Sequence, residues 1–341
     1  MNNSKEVSRI GIDLGKNVFH LFGVNKAGKP VLRKKLKRKA VLDYLANLPE
    51  CLIGAEACGG SHHWAREIAK LGHQVRLISP QFVKPYVKGN KNDYNDAEGI
   101  CEAVSRPTMR FVESKSIEQQ DIQALHRIRQ SVVKSRTALS NQIRGLLAEY
   151  GIVVAKGLSR IRNEIPEILE DGENGLTMRF RSYLAQQLAA FRGLDDQIKE
   201  HSKEIEVICR ENEVSRRIQK VPGLGPQGAT AIVAAFGNAS HYSDGRQFAA
   251  SLGLVPRQHS TGGKSVLLGI SKRGDKYIRT LLIHGARAVI THLGNKQDKR
   301  SRWLRKVVEK RGVNRAAVAL ANKNARIIWA LLRRREHYQA A

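Results

Sequence analysis

The chain contains few cysteines and no long apolar run, and each shortage excludes a class of protein. Its four cysteines, Cys51, Cys58, Cys101 and Cys209, form no CxxC pair and have no paired histidines nearby at zinc spacing. Neither a zinc site nor a disulfide framework is therefore expected. No apolar stretch reaches the roughly 18 residues of a membrane-spanning helix, and the first residues lack the pattern of a secretory signal. We expect a protein of the reducing cytosol with no membrane partner.

Acidic residues are also scarce: the 341 residues include 59 Lys and Arg but only 31 Asp and Glu. The formal net charge is therefore +28. Such an excess favours a polyanionic partner, since each neutralised phosphate releases counterions. Nucleic acid is the default partner; an anionic membrane surface is the alternative, and the lack of any membrane-spanning apolar run counts against it. The hydrophobic fraction of 41% is sufficient for packed cores, and the length predicts two or more domains.

Hydrophobic periodicity divides the chain into three predicted regions. Residues 1–115 alternate strands and helices in the order β-β-β-α-β-α-β-α, which predicts an α/β domain with a mixed sheet flanked by helices. Residues 116–216 carry two long helical stripes, joined by an apparent connector over 155–175. They predict a helical arm, either a coiled coil that also dimerises or two helices of one bundle. Residues 217–341 predict a mainly helical domain with a loop-rich stretch over 242–263.

Four carboxylates occupy positions typical of a metal site. Asp13 lies in the first predicted strand, Glu56 ends the fourth, and Asp93 and Asp96 share one face of a predicted helix start. A carboxylate in an apolar strand is unfavourable unless a cation or hydrogen bonds compensate it. Each acid alone also fits a turn or a helix cap. Together they predict a hard-oxygen site for two Mg²⁺ ions, in the layout of a ribonuclease-H-like or RuvC-like nuclease.

Two segments of the C-terminal region also indicate phosphate chemistry. Ser260 and Thr261 precede a Gly-Gly pair and are flanked by Arg257 and Lys264, so that an exposed hydroxyl lies beside cations. From the residues alone, a flexible turn is the simpler interpretation. The segment 221–231, VPGLGPQGATA, is like a helix-hairpin-helix that holds a DNA phosphate, but the same glycines also suit plain helix packing.

A cluster of basic residues follows the Gly-Gly pair along the chain. It predicts contacts with a nucleic-acid backbone. Its members are Lys272, Arg273, Lys276 and Arg279.

Five motifs, taken in order, resemble one family. IGIDLGKN (10–17), GAEA (54–57) and KNDYNDA (91–97) resemble the three acidic motifs of the DEDD transposases of the insertion-sequence 110 family. GLVPRQHSTGGK (253–264) and ISKRGD (270–275) resemble its second conserved domain, most closely that of the 1111 subgroup. The resemblance spans nearly the whole chain and implies a RuvC-like N-terminal domain and a C-terminal transposase domain.

The resemblance also implies an activity. Such proteins are recombinases that excise and insert their own element, guided by a structured non-coding RNA of that element, the bridge RNA, which pairs with donor and target double-stranded DNA. A serine of the C-terminal domain forms a covalent phosphoserine link with DNA. Asp13, Glu56, Asp93 and Asp96 would bind Mg²⁺, or Mn²⁺ in its place, and would assist from another protomer of a homo-oligomer. Dimers would assemble to a tetramer in the bacterial cytoplasm, with nucleoid DNA as the substrate.

The nucleophile and the activity both have alternatives at this point. Relatives often carry two serines where this chain has Ser260 and Thr261. Ser260 is the predicted nucleophile, with Thr261 as the alternative register. A Mg²⁺-dependent, structure-selective nuclease resembling a Holliday-junction resolvase would use the same acids and be indifferent to Ser260. A non-catalytic nucleic-acid scaffold would use neither the acids nor the serine.

Overall fold

The computed structural model describes residues 6–89, 92–334 and 336–339, so that Lys91 of the third acidic motif lies outside the described residues. The chain folds into two compact units, and the boundary between them falls after Ile117. The predicted division of residues 116–341 into a helical arm and a C-terminal domain at residue 216 stays a prediction. None of the helices in the described ranges combines the length and the apolar character needed to cross a membrane.

The first unit is a mixed sheet with helices. Its strands are β1 (Arg9–Leu14), β2 (Val18–Val24), β3 (Pro30–Lys37), β4 (Leu52–Glu56), β5 (Gln74–Ile78) and β6 (Phe111–Val112). Its helices are α1 (Val41–Ala46), α2 (Ser61–Ala69), α3 (Pro80–Val83) and α4 (Asp93–Ala103). The sheet order is β3-β2-β1-β4-β5-β6, with β1-β4 and β4-β5 parallel and the other pairs antiparallel. The predicted mixed α/β sheet is confirmed.

Two glycines at the centre of the sheet let α4 lie directly on it. Gly11 of β1 and Gly54 of β4 are register partners. A Cβ on Gly11 would lie 2.1 Å from the carbonyl oxygen of Ala97 in α4, so any larger residue would push the helix away. On the opposite face, Ile10 and Ile12 are fully buried in the main apolar core. The sheet therefore has one apolar face and one face on which α4 lies close to the backbone.

The second unit is mainly helical, as predicted. Its helices are α5 (Ile117–Ala148), α6 (Leu158–Glu170), α7 (Met178–Glu211), α8 (Glu213–Ile218), α9 (Pro226–Phe236), α10 (Gly245–Ser251), α11 (Lys276–Thr291), α12 (Lys299–Arg311) and α13 (Val313–Arg334). Two strands, β7 (Pro256–Thr261) and β8 (Lys264–Ile270), form a separate antiparallel ribbon.

Two sequence interpretations of this unit were wrong. The connector predicted over 155–175 contains α6, because Ile161 and Ile165 are fully buried in a core with the apolar side chains of α5 and α7. The loop-rich stretch predicted over 242–263 contains α10 and β7. In both cases tertiary contacts or strand pairing order a segment whose local composition is typical of a loop.

The hairpin between α8 and α9 packs tightly against α11. Gly223 has a φ of +85°, and a Cβ on Gly285 of α11 would lie 1.7 Å from the Gly223 carbonyl oxygen. The close approach of the two backbones explains these two glycines by packing. That the hairpin also holds a DNA phosphate stays a prediction.

A buried carboxylate joins the first three helices of the second unit. Asp195 of α7 is 4% exposed and accepts hydrogen bonds from Arg136 of α5 at 2.7 Å and Arg162 of α6 at 2.6 Å. Burial by itself raises the pKa of Asp195, but the hydrogen bonds from Arg162 and Arg136 outweigh it and lower the pKa. Removing either partner of such a pair would leave an uncompensated buried charge.

A buried histidine links α5 to α9 and α11. His126 is 3% exposed, with Nε2 2.9 Å from the Thr230 hydroxyl and Nδ1 3.0 Å from the Tyr277 hydroxyl. Because Thr230 donates to the Pro226 carbonyl, its oxygen accepts from Nε2–H, and Tyr277 then donates to Nδ1. These bonds hold a neutral imidazole. Burial, with a smaller effect of the Arg129 cation, lowers the pKa of His126 to about 4.

We therefore predict that acid destabilises the chain through His126. The unfolded histidine takes up a proton near its ordinary pKa of 6.5, whereas the folded one stays neutral down to its pKa of about 4. The unfolded state thus binds more protons in that window, and stability falls as the pH falls through it, by up to about 3 kcal/mol. Urea titrations at several pH values should show this loss in the wild type and in His284→Gln, an exposed control on α11. His126→Gln should show a flatter profile, and a parallel decline in that variant would contradict the assignment.

Candidate active site

The four predicted acids lie at one end of one face of the sheet. Asp13 follows Gly11 by two residues in β1, and Glu56 follows Gly54 by two in the parallel neighbour β4, so both side chains lie on the α4 face. Asp93 is the first residue of α4, after an N-cap in which Asn92 accepts from the Tyr94 backbone N–H. Asp96 is in the same first turn. The contact between α4 and the sheet therefore brings the helix start to the ends of the two strands.

The electrostatics of Glu56 show how close these charges are. Burial, and then the negative charges of Asp13 and Asp96, raise the pKa of Glu56. The thiol of Cys58, two residues beyond the strand, responds to the same field. Burial, then Glu56 and Asp13, raise the pKa of Cys58. The neighbouring negative charges therefore raise the free energy of the ionised state of this site.

Sequence reasoning missed a histidine at this site. His20 of β2 is the register partner of Asp13 and is only 7% exposed. Its Nδ1 lies 3.6 Å from Oδ2 of Asp93, and its ring contacts that of Tyr94 at 4.7 Å between centroids. One ligand atom each from Asp13, His20 and Asp93 lie within 4.8 Å of one another. A polar residue within the apolar strand VFHLFGV was the available signal, but the hairpin register was needed to interpret it.

This donor set fits a divalent cation. Carboxylate oxygens are the ligands that Mg²⁺ and Mn²⁺ prefer, and histidine nitrogen is also tolerated by Mn²⁺. Besides burial, the negative charges of Asp13 and Asp96 raise the pKa of Glu56, and a dication would compensate these charges. Asp13 and Glu56 are held by paired strands, and Asp93 by a capped helix start, so these side chains are positioned without a bound ion.

Ser260 lies on the β7–β8 ribbon of the second unit, which corrects its interpretation as part of a flexible turn. Gly262 and Gly263 make the two-residue turn with φ of +56° and +78°, values that suit a type I′ hairpin and glycine. Ser260 pairs with Ser265, and every residue of β7 is exposed. Since side chains alternate along a strand, Ser260 and Thr261 lie on opposite faces of the ribbon.

A glutamine orients the Ser260 hydroxyl. The side-chain amide of Gln258 donates to Oγ of Ser260 at 2.7 Å and to Oγ of Ser265 at 3.2 Å. These three side chains share one face of the ribbon because they occupy alternate and paired positions. Because Oγ of Ser260 accepts this bond, the hydroxyl proton of Ser260 is not used in it and remains available for donation.

One member of the basic cluster 272–279 has a structural role instead of a surface one. Arg279 is 8% exposed, and its Nη1 donates to the carbonyl oxygens of Leu252 and Arg273 at 3.0 and 2.8 Å. Its predicted contact with a nucleic-acid backbone is therefore wrong. Lys272, Arg273 and Lys276 are exposed, and their contact stays a prediction.

Comparison with known sequences now identifies the family. A DEDD-type IS110 transposase profile matches residues 10–152, which include all four acids. The profile described as "Transposase IS116/IS110/IS902 family" matches residues 215–303, which include the ribbon. The two matches therefore cover the two candidate catalytic segments.

Several transposases are similar to this chain over nearly its whole length. The transposase for insertion sequence element IS1111A of Coxiella burnetii is 49% identical, over 98% of this chain and 92% of the relative. A probable family 20 transposase of Pseudomonas aeruginosa is 49% identical over 98% and 99% of the two chains. The transposase for IS1328 of Yersinia enterocolitica is 42% identical over 95% and 96%. The chain therefore belongs to the IS116/IS110/IS902 family of transposases, and it is an insertion-sequence enzyme that cuts and rejoins DNA.

Proposed function

We propose that this transposase is an RNA-guided recombinase in which the four acids hold Mg²⁺ and Ser260 is the nucleophile. The observation that carries the proposal is the convergence of Asp13, Glu56, Asp93 and Asp96 on one end of the sheet, where burial and then the charges of Asp13 and Asp96 raise the pKa of Glu56. Because the clustered negative charges destabilise the metal-free protein, the cluster fits a metal site better than a structural role.

The residues at this site have distinct tasks. Asp13 and Glu56 present oxygens from the ends of β1 and β4, and Asp93 and Asp96 present them from the start of α4. His20 holds Asp93 from the neighbouring strand. Mg²⁺, or Mn²⁺ in its place, would supply charge neutralisation at a phosphodiester whose bonds are changing.

Ser260 supplies the covalent step. Its Oγ forms a bond to the scissile phosphorus while the bond from that phosphorus to a deoxyribose oxygen breaks. The serine proton passes to solvent, and the released oxygen takes up a proton. Gln258 orients Oγ by its hydrogen bond, and the exposure of the ribbon admits a DNA strand. Because the phosphoserine retains the phosphoester energy, attack by another DNA hydroxyl rejoins strands with release of the serine.

Guidance, assembly and location follow from the family resemblance and the charge. We propose that the element's bridge RNA pairs with donor and target DNA, so that base pairing and not the protein reads sequence. The net charge of +28 supports simultaneous binding of RNA and DNA. We propose further that dimers assemble to a tetramer, in which the acids assist from another protomer, and that the enzyme acts on nucleoid DNA in the bacterial cytoplasm.

The metal assignment predicts that the Glu56 carboxylate lowers the stability of the metal-free protein but is required for strand cleavage. Since its pKa is raised in the folded state, the ionised carboxylate destabilises the metal-free protein, and this penalty grows as the pH rises through the raised value. Glu56→Gln should therefore raise the melting temperature of the metal-free protein at neutral pH by about 1–3 °C. It should also lower strand cleavage by more than about 10²-fold and weaken Mn²⁺ binding in calorimetry. Glu98→Gln, exposed on α4, is the matched control and should change none of these, and unchanged Mn²⁺ binding in Glu56→Gln would refute the site.

The ribbon geometry predicts which hydroxyl becomes linked to DNA. With the flanking RNA, donor and target DNA and Mg²⁺ present, a denaturing gel should show a protein–DNA adduct for the wild type and for Thr261→Ala. Ser260→Ala should abolish the adduct, because the two hydroxyls lie on opposite faces of the ribbon. Cleaved DNA without an adduct, equally abundant in Ser260→Ala, would instead support a resolvase-like nuclease.

RNA guidance predicts that target choice moves with the RNA. Changing the predicted target-pairing segment of the flanking transcript, with a matching change in target DNA, should restore insertion that either change alone abolishes. The measurement is the yield of recombined junctions by amplification and sequencing. Insertion at the original target regardless of the RNA would disprove guidance while leaving the serine chemistry untouched.

A further inference from the structure

The edge strand of the sheet is unusually basic. Six of the seven residues from 33 to 39 are Lys or Arg, and most of this segment forms β3, which pairs with β2 alone and so lies at the edge of the sheet. Nothing in the proposed chemistry of the acids or the serine uses these residues. Their density therefore requires a separate explanation.

The strand register divides these cations between two faces. Arg33, Lys35 and Lys37 alternate along β3, opposite Phe22, His20 and Val18 of β2. His20 is in turn the register partner of Asp13. The three cations therefore lie on the same face of the sheet as the acids, and we refer to Arg33, Lys35 and Lys37 as the β3 strip.

The strip and the acids are close enough to meet one DNA strand. Lys35 is two strands away from Asp13 in the same cross-strand row. Neighbouring strands are about 4.8 Å apart, so the backbones at these two positions are separated by about 10 Å. Flexible lysine side chains span part of this distance, which leaves room for the phosphates beside one that is bound at the acids.

The charges of the strip are available to a partner. Its three side chains are exposed, and within the described ranges no carboxylate forms an ion pair with Lys35 or Lys37. Arg33 lies over the Tyr94 ring at 4.7 Å, beside His20. By contrast Lys34, on the other face, is half-buried with its ammonium 4.3 Å from the centre of the Tyr44 ring.

We infer that the β3 strip binds the phosphates that flank the cleaved phosphate of the DNA strand and so directs that strand to the acidic site. The inference rests on the proposed function of the acids. Lysine is a point charge that binds phosphate without reading sequence, which suits an enzyme whose targets are chosen elsewhere. DNA is favoured over RNA as the occupant because the strip shares its face and its cross-strand row with acids that act on DNA.

A different role for edge lysines makes a contrasting prediction. Charged residues on an exposed edge strand also prevent pairing with other sheets. If that were the whole explanation, neutralising them would promote self-association and leave DNA affinity unchanged. The hairpin turn between β2 and β3 provides a control, because Lys26 and Lys29 are exposed there at the other end of the same hairpin.

The first experiment measures the salt dependence of binding by the full chain. A mixed-sequence DNA duplex in EDTA is titrated with the wild type, with Lys35→Gln/Lys37→Gln and with Lys26→Gln/Lys29→Gln, two variants of equal net charge. Each lost phosphate contact reduces the slope of log K against log salt by about 0.9. The strip variant should therefore lose about 1–2 in slope, and the turn variant none. Equal slopes in the two variants, or self-association of the strip variant with unchanged affinity, would overturn the inference.

The second experiment locates the contact. Methylphosphonates replace the phosphates on either side of the cleavage position in a duplex of the element's end. They should weaken binding by the wild type and the turn variant but cause little further loss in the strip variant. If the loss of DNA affinity caused by the methylphosphonates adds to the loss caused by the strip substitutions, the strip contacts other phosphates and the inference is overturned. The inference is also overturned if the strip variant loses affinity only for the element's transcribed RNA.

Failure of the strip and failure of the acidic site remain distinguishable, because both binding experiments omit divalent metal. If Glu56→Gln cleaves normally, the metal assignment fails, yet the methylphosphonate pattern still decides whether the strip holds the strand. If Glu56→Gln is inactive and the strip variant binds like the turn variant, the acids stand and the strip does not. Arg33 is left unchanged in the variants because its ring contact with Tyr94 also supports the start of α4.

Discussion

The contact of α4 with the centre of the sheet is the constraint on which the candidate site depends. It requires a residue without a side chain at Gly11, where a Cβ would lie 2.1 Å from an α4 carbonyl. The helix then lies close enough for its first turn to reach the ends of β1 and β4. The consequence is a carboxylate cluster that opposes its own ionisation at Glu56. Stability is lost there in exchange for a preorganised set of oxygens, which is typical of functional sites.

The parts of this arrangement that follow from local sequence were predictable, and the parts that follow from pairing were not. The predicted order β-β-β-α-β-α-β agrees with the structure from β1 to β5, because apolar β-branched runs bounded by turn residues are a strong local signal. The four acids were predicted as one site from motif spacing, and the structure places them at one end of the sheet. His20 was not, since its proximity to Asp13 depends on the hairpin register. The helix α6 was missed because its two buried isoleucines are recognisable only once α5 and α7 surround them.

In the β7–β8 ribbon, strand pairing that the sequence did not predict determines how the Ser260 and Thr261 hydroxyls are presented. A Gly-Gly pair indicated flexibility, but glycines with positive φ also close a tight hairpin. Once the strands are paired, two adjacent hydroxyls that sequence could not separate lie on opposite faces. The ribbon is also exposed along its apolar residues, with Leu267 at 66% and Val266 at 51%. An isolated two-stranded ribbon is marginal in water, so its order depends on cross-strand hydrogen bonds such as the one from Gln258 to Ser265.

The distribution of charge in the first unit reconciles two opposing requirements. A metal site built from carboxylates repels the DNA backbone on which it acts, and metal neutralises that repulsion only where it is bound. The phosphates beside the reacting one still approach a negative surface, so a favourable approach needs cations nearby that do not themselves neutralise the acids. Cations two strands away on the same face satisfy this condition: they are close enough to attract the same strand and too far to form ion pairs with the carboxylates. The sheet register, which fixes that separation, therefore sets the electrostatics of the site as well as its geometry.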